Sequence, residues 1–153
     1  MIIYAHGDNM QINKKQIETN REDNLCRFNK HIRYLEEDWA IYKYAILERS
    51  PSIYQKIRVL LLDKNQYPVE DFYHLIDLAL KSELTIGRVN NAANHVYGYF
   101  KNLASPHEKT EYNTRLNAVN IEISKLHSLK EYLYELAIKY QQKYLLASLY
   151  FYD

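Results

Sequence analysis

The sequence predicts an all-α protein, a compact bundle of about six to seven helices in which the first helix is long. Three observations carry that reading. Apolar residues recur at alternating steps of three and four along most of the chain, the mark of helices with one buried face. Glycine and proline number only three each, too few for the many turns of a sandwich or barrel. At Ser50-Pro51 and Ser105-Pro106 a serine can cap a new helix, while the proline takes the first helical position, where no amide hydrogen is needed. With 153 residues, 47% of them apolar, one domain can bury about two-thirds of its unfolded surface.

Residues 1–24 are polar and weakly patterned, with a turn at Gly7-Asp8-Asn9. They are expected to form a loosely attached arm, with a short helix near Ile12 to Asn20; residues 25–153 form the single domain. Leu25, Phe28, Ile32, Leu35, Trp39, Tyr42 and Ile46 share one stripe, which predicts one long helix ending at Ser50. Ile53, Ile57, Leu60 and Leu61 extend the next helix to about Asp63. Pro68 opens a third, with Val69, Phe72, Ile76 and Ala79 on one face, and a fourth runs from Ile86 to Leu103. Ser105, Pro106 and Glu108 make a full capping box for a fifth, lined by Tyr112, Leu116, Val119 and Ile123. Ser128 and Glu131 repeat the box before a sixth, lined by Leu129, Leu133, Leu136 and Tyr140. Lys143 to Tyr152 make a short last helix.

Composition excludes several classes of function. Twenty basic and nineteen acidic residues leave a net charge of +1, far from the basicity of a general nucleic-acid coat protein, so any RNA or DNA contact must use a local patch. The basic stretch from Arg27 to Arg58 and the acidic stretch from Asp63 to Glu83 read as solvated surface, and so does the run Glu36, Glu37 and Asp38. A lone cysteine, Cys26, rules out an intrachain disulfide framework and fits a reducing, cytoplasmic setting; it reads as a buried or half-buried apolar residue. No secretory signal is visible at the start, and no apolar run approaches the roughly 20 residues that span a bilayer. The six histidines show no zinc spacing, and there is no phosphate-cradling glycine loop or nucleophile elbow. No cofactor or metal is expected. Sixteen tyrosines suit half-buried positions between helices first, and a stacking surface second.

The fourth helix is the most informative. Ile86, Val89, Ala93, Val96, Phe100 and Leu103 form its core stripe, while Asn91, His95, Gly98 and Asn102 gather opposite, with Arg88 and Tyr99 beside them. Glycine inside a helix costs about 1 kcal/mol relative to alanine, so Gly98 implies close approach by another helix or a ligand. His95 and Tyr99 are four residues apart and can touch. Two readings stand: a solvated or packing face, and a polar groove centred on His95.

Certain residues also carry a family resemblance. Trp39 with Lys43-Tyr44, then Arg49-Ser50-Pro51 and Tyr54, then Pro68-Val69 with Phe72-Tyr73, resemble the opening of the YbgA-like domain. Asn91, His95-Val96, Gly98-Tyr99-Phe100-Lys101 and Glu108-Lys109 are similar to its most specific block, and Tyr144-Leu145-Leu146 with Tyr150 to its C-terminal end. The resemblance spans about residues 30–152. The family often has histidine where this chain has Tyr42, which weakens any proton-transfer role there, and a proline where it has Lys125-Leu126. The resemblance implies an uncharacterised bacterial helical domain, found alone or fused to a cysteine-rich desulfidase acting on thiolated pyrimidines, including those of tRNA. This chain lacks the cysteine-rich part, so it cannot perform that desulfuration alone.

Three functions are therefore weighed. The first is a non-catalytic accessory domain that binds tRNA or other nucleic acid, with a desulfidase-type partner, through Trp39, Lys43, Arg49, Tyr54, Asn91, His95, Tyr99 and Lys101; aromatic rings beside cations are what single-stranded RNA needs. The second is a structural or protein-interaction module, including a homodimer. The third, an enzyme using His95 as acid or base, has least behind it, because no orienting carboxylate is visible. The resemblance favours the first, while composition alone favours the second.

Overall fold

The computed structural model describes residues 14–152, and the regular elements among them are all helical. They are α1 (Lys14–Leu25), α2 (Arg33–Arg49), α3 (Pro51–Leu60), α4 (Val69–Leu80), α5 (Ile86–Tyr97), α6 (Pro106–Ile121), α7 (Leu126–Lys139) and α8 (Lys143–Leu146). Short 3-10 turns lie at Ile123–Lys125 and Leu149–Phe151. No described helix is long and apolar enough to cross a membrane. The expected turn at Gly7-Asp8-Asn9 lies outside the described residues.

α2 is the spine. Leu35, Tyr42, Ala45 and Ile46 are buried along it, and it packs against α3, α4, α5 and the C-terminal turn. Phe72 and Ile76 of α4, Val89 and Val96 of α5 and Leu129 and Leu133 of α7 are fully shielded around it. Each such side chain contributes roughly 1.5–3 kcal/mol when taken from water. The caps form as the sequence predicts. Ser50 Oγ accepts the Ile53 amide at 3.2 Å. Ser105 Oγ accepts the Glu108 amide at 3.2 Å, while Glu108 Oε1 accepts the Ser105 amide at 2.9 Å.

The long helix is second in the chain, not first, and it does not begin at Leu25. α1 ends there, and a seven-residue connection precedes α2. Leu25 is 45% exposed and Phe28 wholly so. Polar hydrogen bonds turn the chain: buried Asn24 donates to Tyr73 Oη (2.9 Å), and its carbonyl accepts from Tyr67 Oη (2.7 Å). α1 thus folds back onto α2 and α4, further held by the Arg21–Asp77 pair at 2.6 Å. Cys26, expected to be buried or half-buried, lies exposed in the connection.

Three other expectations change. α7 begins at Leu126 without a side-chain cap; Ser128 instead lies in its first turn, its carbonyl accepting from Arg115 Nη1 at 2.9 Å. Asp38, read as solvated, is only 3% exposed and accepts from Tyr73 Oη at 2.6 Å. Glu48, read with the surface charges, is buried against Lys130, whose Nζ donates to Glu48 Oε1 (2.9 Å) and to the Tyr150 carbonyl (2.8 Å). That buried pair ties α2 to α7 and to the C-terminal turn.

Candidate nucleic-acid interface

α5 starts where Thr85 Oγ1 accepts the Arg88 amide at 3.4 Å. Val89, Ala93, Val96 and Phe100 are fully buried, as the stripe predicts, but Ile86 and Leu103 are 40% and 54% exposed. The helix stops at Tyr97 rather than Leu103. Beyond it the bonds tighten to three-residue turns, Tyr99 N to Val96 O at 3.2 Å and Phe100 N to Tyr97 O at 2.8 Å. Gly98 belongs to this tightening. A Cβ there would lie 3.1 Å from the His95 carbonyl oxygen, so the nearest atoms to that position belong to the chain's own backbone and not to a second helix.

The change of pitch separates His95 from Tyr99. Asn91, His95 and Lys101 are exposed, and His95 has no hydrogen-bond, ion-pair or ring partner among the described residues. Tyr99 turns the other way. Its hydroxyl lies 2.8 Å from Tyr44 Oη, and its ring meets Tyr44 edge-on. It also lies nearly parallel to Tyr144 of α8, the centroids 6.3 Å apart at 17°.

Lys43 completes this group. Its Nζ stands 5.1 Å from the Tyr44 ring centroid and 5.4 Å from that of Tyr144, within cation–π range. Trp39, one turn earlier on the same side of α2, packs on Tyr54 of α3 with centroids 5.4 Å apart. Burial pushes the Tyr44 hydroxyl up, and its hydrogen bond with Tyr99 and the neighbouring hydroxyls of Tyr144 and Tyr54 push it further. Tyr44 therefore stays a neutral hydrogen-bonding phenol. Tyr144 is 41% exposed, and Trp39, Lys43, Tyr54 and Tyr99 are half-buried.

Of the eight residues singled out in sequence, the structure brings Trp39, Lys43, Tyr54 and Tyr99 to this aromatic group. Arg49 is occupied elsewhere: its Nη1 donates to the Ser82 carbonyl at 3.0 Å, and its own carbonyl accepts from Arg88 Nη1 at 3.1 Å, tying α2 to the start of α5. Asn91 and His95 remain on the bare face of α5. The two members that sequence reasoning missed as site residues are Tyr44 and Tyr144. Concavities of about 260 to 350 Å³ lie among the described residues, and those between α1, α2 and the C-terminal turn, between α1 and α2, and at the start of α4 are not lined by any of the eight. No group of three or more His, Cys, Asp or Glu is arranged to hold a metal ion among the described residues. The arrangement can stack flat rings and attract anions; it has no acid–base pair.

The family model described as protein of unknown function (DUF1722) matches residues 43–153. No curated protein and no solved structure matches the chain.

Proposed function

The chain belongs to the DUF1722 family, to which YbgA-like proteins also belong, and from that premise we propose that it is a non-catalytic accessory module that binds single-stranded or looped RNA. What supports the reading is one observation: Lys43 lies over Tyr44 and Tyr144 while Tyr99 runs nearly parallel to Tyr144. Every nucleobase has a flat face to stack, and every nucleotide a phosphate for a lysine. With a net charge of +1, such contact must be local. The YbgA-like resemblance makes tRNA the first RNA to test and a desulfidase-type protein the first partner, in connection with thiolated-nucleoside metabolism.

Fluorescence anisotropy with labelled tRNA and with an unstructured oligonucleotide tests the proposal. Binding is expected at about 50 mM salt and should weaken several-fold by about 200 mM, because phosphate contacts release counterions. No binding at the lower salt removes it.

A second reading, a protein-interaction module or homodimer, draws on Ile121 and Ile123, which are 89% and 39% exposed near the end of α6. Sedimentation would show a dimer that dissociates on Ile121→Asp if it holds. A monomer at all concentrations, with no partner recovered, counts against it.

A further inference from the structure

On the other side of α2 from Lys43, a cleft of about 260 Å³ opens between α1 and α2. Asn20 and Asn24 line it from α1, Arg27 from the connection, and Tyr34, Glu37, Asp38 and Ile41 from α2. Apart from Ile41, its walls are therefore amides, a guanidinium, a phenol and two carboxylates. That is the lining of a small polar molecule's site and unlike an apolar groove for a helix.

No ion pair joins the charged groups of the cleft among the described residues. Asp38 is 3% exposed; Tyr73 Oη donates to its Oδ2 at 2.6 Å, but Oδ1 has only Asn20 Nδ2 at 3.5 Å. It has no ion-pair partner among the described residues, since the nearby Arg21 is held in a two-pronged pair by Asp77 at 2.6 and 2.8 Å. Burial raises the Asp38 carboxyl's pKa, and the hydrogen bonds from Tyr73 and Asn20 and the more distant charge of Arg21 offset only part of that rise. Glu37 adds a second, exposed carboxylate beside it. The Arg27 guanidinium lies over the Tyr34 ring, its Cζ 3.8 Å from the centroid, and its Nε donates to Asn24 Oδ1 at 3.3 Å. Packing holds this guanidinium in place, yet it meets no carboxylate among the described residues. A fixed cation and a buried anion, both unpaired, line one small cavity.

We propose that this cleft binds a small zwitterion of the free α-amino-acid class, its ammonium group toward Asp38 and Glu37 and its carboxylate toward Arg27. A ligand carrying both charges supplies the partner that each wall lacks, and charge-assisted hydrogen bonds are the strong ones. An amine alone would leave Arg27 unanswered, and an acid alone would face two carboxylates. A volume of about 260 Å³ has room for a free amino acid of small or medium size, such as glycine, alanine or glutamine.

Titrating the full-length, isotope-labelled chain with glycine, L-alanine and L-glutamine, followed by amide chemical shifts, tests this directly. Ethylamine and acetate serve as single-charge controls. Saturable shifts confined to residues 20–41 are expected with the amino acids, with each control binding about tenfold weaker or less. Arg27→Gln and Glu37→Gln, both at the rim, should each weaken the amino acid about tenfold. Asp38→Asn should abolish binding; if that variant fails to fold, the two rim variants decide. No saturable shift with any amino acid overturns the proposal. So does acetate or ethylamine binding as well as the amino acids do, or binding that survives both rim substitutions unchanged.

Discussion

His95 and Tyr99 stand four residues apart, yet the surroundings of the two differ completely. His95 projects from a regular turn of α5 into solvent, while Tyr99, one turn further, meets side chains from α2 and α8. The difference comes from the tightened turns after Tyr97, which take Tyr99 off the helical wheel that would have placed it beside His95. A polar helix face thus needs no function to explain it. A group of rings and a cation drawn from distant segments is harder to attribute to solvation alone.

The largest expected effect tests what holds that group together. Lys130 and Glu48 tie α2, which carries Lys43, to the C-terminal turn that follows α8 and its Tyr144. Lys130→Met strands a buried carboxylate and should cost roughly 3–5 kcal/mol in chemical denaturation. Adding Glu48→Gln should recover part of that loss.

Next comes the group itself. Tyr144→Ala should weaken RNA binding by about 1–3 kcal/mol, the usual cost of losing one stacking ring, while circular dichroism stays unchanged. An unaltered affinity would break the contrast between Tyr99 and His95.

A smaller effect concerns the cap that sets α6 after the turns. Tyr140 Oη donates to Glu108 Oε1 at 2.5 Å, the Ser105 amide donates to the same oxygen, and Lys139 pairs with Oε2 at 3.0 Å. In that order these contacts pull the Glu108 carboxyl down to about 2 from 4.5. Because the folded value is depressed, the contribution is fully present above pH 4.5 and is lost as pH falls toward 2. Glu108→Gln should cost about 1–2 kcal/mol at neutral pH, and the gap from the unaltered chain should close across that window in acid denaturation. A gap that stays constant would show that the carboxylate's charge does not matter.

The smallest effect is on the bare face. Asn91→Ala and His95→Ala should each change stability by no more than about 0.5 kcal/mol, as for exposed positions without partners, and should leave RNA affinity unchanged within twofold.

How much of this was legible in the sequence follows from the range of each interaction. The Ser50 and Ser105 caps were readable because their partners lie within one helical turn. The stripes through Leu35, Phe72, Val89 and Leu129 were readable because helical period and burial go together. The break after Leu25 was not, because Asn24 bonds Tyr73 from 49 residues away, and no local pattern records such a partner. For the same reason Glu48, 82 residues from Lys130, read as a surface charge and Asp38 as part of a solvated run. Four of the six members of the candidate site, Trp39, Lys43, Tyr54 and Tyr99, were visible as residue types. Tyr144 entered only through the family resemblance, since nothing in periodicity links it to Tyr99.

The proposed function assigns RNA contact to the Lys43–Tyr99–Tyr144 face rather than to the Asn91–His95 face. The most direct measurement is a map of amide and aromatic chemical shifts as a short single-stranded RNA is added to the full chain at low salt. Saturable shifts centred on Lys43, Tyr44, Tyr99 and Tyr144 are expected, with Asn91 and His95 unmoved. Shifts centred on Asn91 and His95, or none at all, would contradict it.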